Sequence, residues 1–161
     1  MKLLSFGKKF ENLSASIENK VLGSEFRTFS EKISIGETVV FVCASQMWGV
    51  AKVSTKVEHE TSLIWKDKLY PYRAKIEQIK IFESPVSFAD SGIDQIFRKT
   101  LGMQWAYKVV FTPGELPPEA IQHLEKLFDS VRYLDESRFP NYLSENVKKF
   151  DVARRTRLGL N

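Results

Sequence analysis

A chain of 161 residues with 43% hydrophobic and 27% charged side chains fits one globular domain and excludes wholesale disorder. No apolar run reaches the roughly 20 residues that cross a bilayer, the start Met1-Lys2-Leu3-Leu4-Ser5-Phe6 is too short for a signal peptide, and the lone Cys43 makes no internal disulfide. A soluble cytoplasmic protein with no membrane partner is therefore expected. The net charge of +4 leans only gently towards polyanions, because Lys148, Lys149, Arg154, Arg155 and Arg157 supply the excess near the C-terminus and the body is close to neutral.

In chain order, Lys2 to Phe6 reads as a first strand. Asn12 to Asn19 follows as a short helix, with Leu13, Ile17 and Val21 on one face, until Gly23 and Ser24 break the pattern. Ile33 to Glu37 is a turn feeding a strand over Thr38 to Ala44, apolar on both faces and so central in a sheet. Ser45 to Trp48 reads as an exposed connection to an antiparallel strand over Gly49 to Thr55. Tyr72 to Phe82 is a long strand whose apolar positions change parity between Ile76 and Ile79, which predicts a bulge near Glu77-Gln78. A short helix is expected over Ser91 to Lys99, a strand over Trp105 to Phe111, and a helix opening at Leu116-Pro117-Pro118-Glu119 with a stripe of Ala120, Leu124, Leu127 and Val131. From Asp135 the periodicity dissolves; Phe139, Tyr142 and Phe150 are candidates to pack back on the domain, but the segment reads as a tail or linker. The expectation is an α+β domain over residues 1–134 and a C-terminal extension, tail or linker over 135–161.

Few residues suit catalysis. His59 and His123 have no partner at metal-ligand spacing, Cys43 lies in the most apolar strand, and no glycine-rich phosphate loop or nucleophile elbow is present. No enzyme activity and no cofactor or metal are expected.

The aromatics are more informative. Trp65, Tyr70 and Tyr72 surround the charged segment Lys66-Asp67-Lys68 and do not follow a core period. Trp65 has two readings: it caps one end of a barrel, or it presents a face near solvent as a stacking wall for a planar ligand. In the second, Lys66 and Lys68 hold phosphates. Arg73 contacts a phosphate or pairs with a carboxylate, and Arg98 and Lys99 line a groove or are solvated helix charges.

The segment Ile64-Trp65-Lys66-Asp67-Lys68-Leu69-Tyr70-Pro71-Tyr72-Arg73-Ala74-Lys75-Ile76 resembles the signature of EVE domains, in which a Tyr-Pro-Tyr-Arg strand follows a tryptophan-bearing loop. Ile35 to Phe41, Gly49 to Val53, and Leu116 to Glu119 with Leu124 to Leu127 are similar to further pieces of that family in the same order, over roughly residues 2 to 130. The resemblance implies a PUA-like fold: a mixed, curled barrel of five or six strands with peripheral helices. It also implies kinship with YTH domains, readers of methylated adenine, whose helix and following loop Glu11 to Ser24 resembles. By that likeness the base pocket would comprise Lys8, Leu22, Gly23, Ser24, Trp65 and Tyr70, with Lys66, Lys68, Arg73, Arg98 and Lys99 along the nucleic-acid backbone.

Leu22 replaces the usual tryptophan wall, and Lys8 donates hydrogen bonds but accepts none, which favours a base edge rich in acceptors, such as that of a modified cytosine. The implied function is a module that binds DNA or RNA carrying a methylated or otherwise modified base, flipped into an aromatic pocket. Methyl-directed restriction systems use such modules, so an effector nuclease or motor domain is an implied partner. The alternatives are a protein-interaction or assembly domain, and an ASCH-like enzyme acting on a nucleoside or RNA.

Overall fold

A computed structural model describes residues 1–160. The elements in chain order are β1 (Lys2–Ser5), α1 (Phe10–Asn19), β2 (Val21–Ser24), α2 (Phe29–Lys32), β3 (Thr38–Cys43), β4 (Gln46–Val53), β5 (Glu58–His59) and β6 (Tyr72–Ser87). The helices α3 (Ile93–Leu101), α4 (Trp105–Val109), α5 (Pro118–Ser130) and α6 (Phe139–Arg157) complete the chain. The strands form one mixed sheet ordered β1-β3-β4-β6-β2, with β5 also on β6. Only β1 and β3 run parallel; the other pairs are antiparallel.

Strand alternation builds two cores, one on each face of the sheet. Val39, Phe41 and Cys43 of β3 point into the first, with Leu4, Leu13, Ile17, Leu22 and Ile76. Val40 and Val42 point into the second, with Leu3, Phe82, Phe97 and Leu124. Burial on both faces is why β3 reads as a near-continuous apolar run. Cys43 is wholly buried, and burial pushes its thiol up to about 12, which keeps it protonated and unreactive.

The long strand β6 bends where its sequence pattern slips. Gln78 takes a left-handed φ of 50°, and the pairing with β4 shifts register between Val50↔Lys80 and Lys52↔Glu77. The bulge lets Ile76 and Ile81 both face inward despite their odd spacing, and it curls the sheet.

Several elements differ from the sequence expectation. The segment after Gly102 is the helix α4 and a turn, not a strand over Trp105 to Phe111. Its run alternates like a strand, but Val109 and Val110 are buried together while Tyr107 and Phe111 are exposed, a helical division. Trp48 is in β4 and not in an exposed connection. It is buried, its indole N–H donates to the Cys43 carbonyl at 2.9 Å, and its ring meets Phe10 edge-on. Gly23 and Ser24 do not end the local structure but complete β2. Beyond Asp135, where periodicity is weak, residues 139–157 form α6. Phe139 and Leu143 enter the first core, and Phe150 stacks on Phe10 at 5.1 Å. No helix among the described residues is long and apolar enough to cross a membrane.

Candidate functional site

A cleft of about 430 Å³ opens between α1, β2, the segment before β6 and the turn after α4. That volume lies within the roughly 300–1,000 Å³ of small-ligand sites. Leu22, Gly23, Ser24, Trp65 and Tyr70, five of the six expected pocket residues, line it together. Lys8 is exposed in the turn before α1 and is not among the lining residues; its neighbour Lys9 is. Lys8 is therefore not placed to read a cytosine edge in this cleft.

Trp65 is held from several sides. Its indole N–H donates to the Ser16 hydroxyl at 3.0 Å, Tyr70 meets it edge-on at 5.2 Å, and the Arg73 guanidinium lies over its ring at 5.3 Å. The strand residue Gly23 completes the seat. A β-carbon there would overlap Trp65 Cη2 and come within 2.7 Å of Cζ3, so only glycine lets the indole rest on β2. Of the two readings of Trp65, its burial agrees with the one in which it caps an end of the barrel: the residue is 4% exposed, and what surface remains lines the cleft.

Tyr70 is fixed by a polar chain. Its hydroxyl donates to Asp67 Oδ2 at 2.7 Å and accepts from Asn12 Nδ2 at 3.3 Å, while Lys9 Nζ donates to the same Asp67 oxygen at 2.8 Å. Partial burial alone would raise the Asp67 carboxyl, but the hydrogen bonds from Lys9, Tyr70 and Asn12 and the Lys9 charge outweigh it and hold the group at about 2. Burial, then the bond to Asp67, pushes the Tyr70 phenol well above its ordinary range, so it stays a donor.

The expected backbone-binding cations are dispersed. Arg73 is 3% exposed, and its guanidinium donates to the Tyr70 carbonyl at 2.9 Å, to the Ser62 hydroxyl at 2.8 Å and to the Ser62 carbonyl, with Glu60 3.6 Å away. It pins the segment that bears Trp65 and Tyr70, a positioning role in place of a phosphate contact. Lys66 and Lys68 stay near the cleft and pair with Glu11 at 3.2 Å and Glu25 at 2.7 Å. Arg98 and Lys99 are on α3, which contributes nothing to the cleft, and face Asp94 and Glu119.

Asn12 and Ser16 were not singled out in the sequence. Their signal is an i,i+4 polar pair beside the apolar pair Leu13 and Ile17, which places two small polar side chains on one buried edge of α1. Among the described residues no three His, Cys, Asp or Glu side chains cluster as a metal site would require.

No family model matches the chain, and no curated protein matches it in sequence. Among solved structures it is similar to the YTH domain of the Zygosaccharomyces rouxii MRB1 protein, determined in complex with N6-methyladenosine RNA. The TM-score is 0.57 at 18% sequence identity, over 83% of this chain and 90% of that one. The fold is therefore YTH-like: an α+β arrangement with a curled, mixed sheet and peripheral helices.

Proposed function

We propose that this chain is a nucleic-acid reader module that takes a modified base, in the first instance a methylated one, out of its strand and holds it in the cleft. The observation that carries the reading is the convergence of Leu22, Gly23, Trp65 and Tyr70, from β2 and the segment before β6, on one cavity of ligand size. The solved YTH domain of the same fold binds a strand carrying N6-methyladenosine, which adds support.

The chemistry suits a planar, weakly polar guest. Half-buried Tyr70 offers aromatic surface beside the largely buried Leu22 and Trp65. Asn12 turns its amide N–H groups to Tyr70 and Asp67, which leaves its Oδ1 as an acceptor for a base edge. β2 ends the sheet, so the backbone groups of Gly23 and Ser24 that point away from β6 are free to bond a base edge. Extruding a base costs a few kcal/mol, and stacking worth roughly 1–3 kcal/mol with two or three hydrogen bonds offsets it. A methyl group adds apolar area that only the modified base buries, and this selects it. Coupled to a nuclease or motor domain, the module would direct that effector to modified DNA or RNA, as in methyl-directed restriction.

Equilibrium binding to paired single- and double-stranded oligonucleotides, with and without N6-methyladenine or 5-methylcytosine, tests the reading. One modified strand should bind about tenfold tighter than its unmodified pair, and Trp65→Ala and Tyr70→Ala should each erase the difference. Equal binding to every strand, falling with salt and indifferent to both variants, would reduce the surface to a non-specific basic one. No nucleic-acid binding at all would turn attention to a protein partner.

A further inference from the structure

The mouth of the cleft carries aromatic side chains that packing does not explain. Phe26, in the turn after β2, is 68% exposed; Phe111, in the turn after α4, is 63% exposed; both line the cleft. Tyr107, 70% exposed, stands one helical turn before Phe111 with its ring 5.1 Å away. Isolated exposed hydrophobic residues are ordinary, but three rings at one opening are not.

Their mounts are rigid. The Phe26 N–H donates to the Ser24 hydroxyl at 3.1 Å, and its carbonyl accepts from the Phe29 N–H at 3.0 Å. Phe111 follows the buried Val109 and Val110, and its N–H donates to the Ala106 carbonyl at 3.0 Å. Three residues on, a β-carbon at Gly114 would collide with the Lys108 carbonyl, so the chain doubles back tightly and leaves Phe111 at the apex. One unpaired cation lines the same opening, and two more adjoin lining residues in sequence. Lys32 lines the cleft, Arg27 follows Phe26 and Lys8 precedes Lys9, and none of the three pairs with a carboxylate among the described residues.

We infer that Phe26 and the Phe111–Tyr107 pair are stacking platforms for the nucleobases that flank the captured one in a single strand, with Lys8, Arg27 and Lys32 meeting the phosphates. This rests on the reader function proposed above and specifies its substrate: unpaired strand on both sides of the modified base. Flat aromatic surface beside unpaired cations matches a base face next to its phosphate, and exposed rings accept any base, so they add affinity without sequence preference. A duplex would keep the neighbouring bases stacked on each other and leave the rings idle.

The test is a cycle between protein and ligand. Wild type, Phe111→Ala and Phe26→Ala are titrated with fluorescein-labelled single strands bearing a central N6-methyladenine or 5-methylcytosine, whose two neighbours are either normal nucleotides or abasic. With normal neighbours each variant should lose about tenfold in affinity, and with abasic neighbours the variants and wild type should bind alike. Equal losses on both ligands, no loss on either, or losses seen only with duplex would overturn the inference. Circular dichroism checks that these surface variants are folded. The modified-to-unmodified affinity ratio, read in the same titrations with Trp65→Ala, reports on the reader function separately. A ratio of one with the flank coupling intact would leave a single-strand binder with no modified-base pocket.

Discussion

Gly23 and Trp65 occupy adjoining space so closely that no side chain can be added at Gly23 without moving the indole. A Gly23→Ala variant must push the indole off β2, at a cost of about 1–3 kcal/mol for overpacking. Denaturant unfolding should show that loss, accompanied by a change in tryptophan emission as the bond to Ser16 breaks; an unchanged midpoint would mean the ring is not seated on the strand. Asp67 gives a pH signature. Its carboxyl lies at about 2 in the folded chain against an ordinary 3.8, so the anion is stabilised by folding. That contribution is present above pH 4 and is lost as the pH falls from about 4 towards 2. Melting temperatures of wild type and Asp67→Asn should therefore converge across that window, and a gap that stays constant would contradict the network of Lys9, Tyr70 and Asn12. That Trp65 and Tyr70 lie beside Leu22, Gly23 and Ser24 was legible from two family likenesses, which misplaced Lys8; that they bind a base is the proposal. Asn12 and Ser16 carry only an i,i+4 polar spacing, too weak a signal to separate a cleft-facing pair from a solvated one.

At the scale of elements, legibility followed the strength of periodicity. β3 is written as a short continuous apolar run and the bulged β6 as an alternation whose parity slips at Gln78. β2 is short and contains glycine, a residue that weakens strands, and it holds its place through pairing with Arg73 and its neighbours on β6. The α4 segment has an ambiguous alternation that the second core resolves by burying Val109 and Val110. α6 is the clearest case of long-range packing overriding local pattern: its polar length is mostly exposed, yet Phe139, Leu143 and Phe150 reach Phe10 and the first core. Leu143→Ala should then cost about 2–5 kcal/mol, as for a buried core leucine. Urea unfolding measures it, and a loss below half a kcal/mol would show that α6 is not part of the cooperative fold.

At the scale of the whole molecule, charge and shape divide the work. The net +4 is modest, so non-specific attraction to nucleic acid should be weak and fade with salt, leaving recognition to the cleft. The start of β6 pairs with β2, and Gly23 of β2 lies against Trp65 from the segment before β6, so both enter one cleft. The three tryptophans report on different regions: Trp48 in the first core, Trp105 stacked on Phe97, and Trp65 in the cleft. The most direct test of base capture follows their indole N–H resonances by NMR while a single strand bearing one modified base, or its unmodified pair, is titrated in. If the cleft captures the base, the Trp65 resonance moves saturably with the modified strand alone, while those of Trp48 and Trp105 stay in place. A Trp65 resonance that stays still while surface amides shift equally for both strands would contradict it.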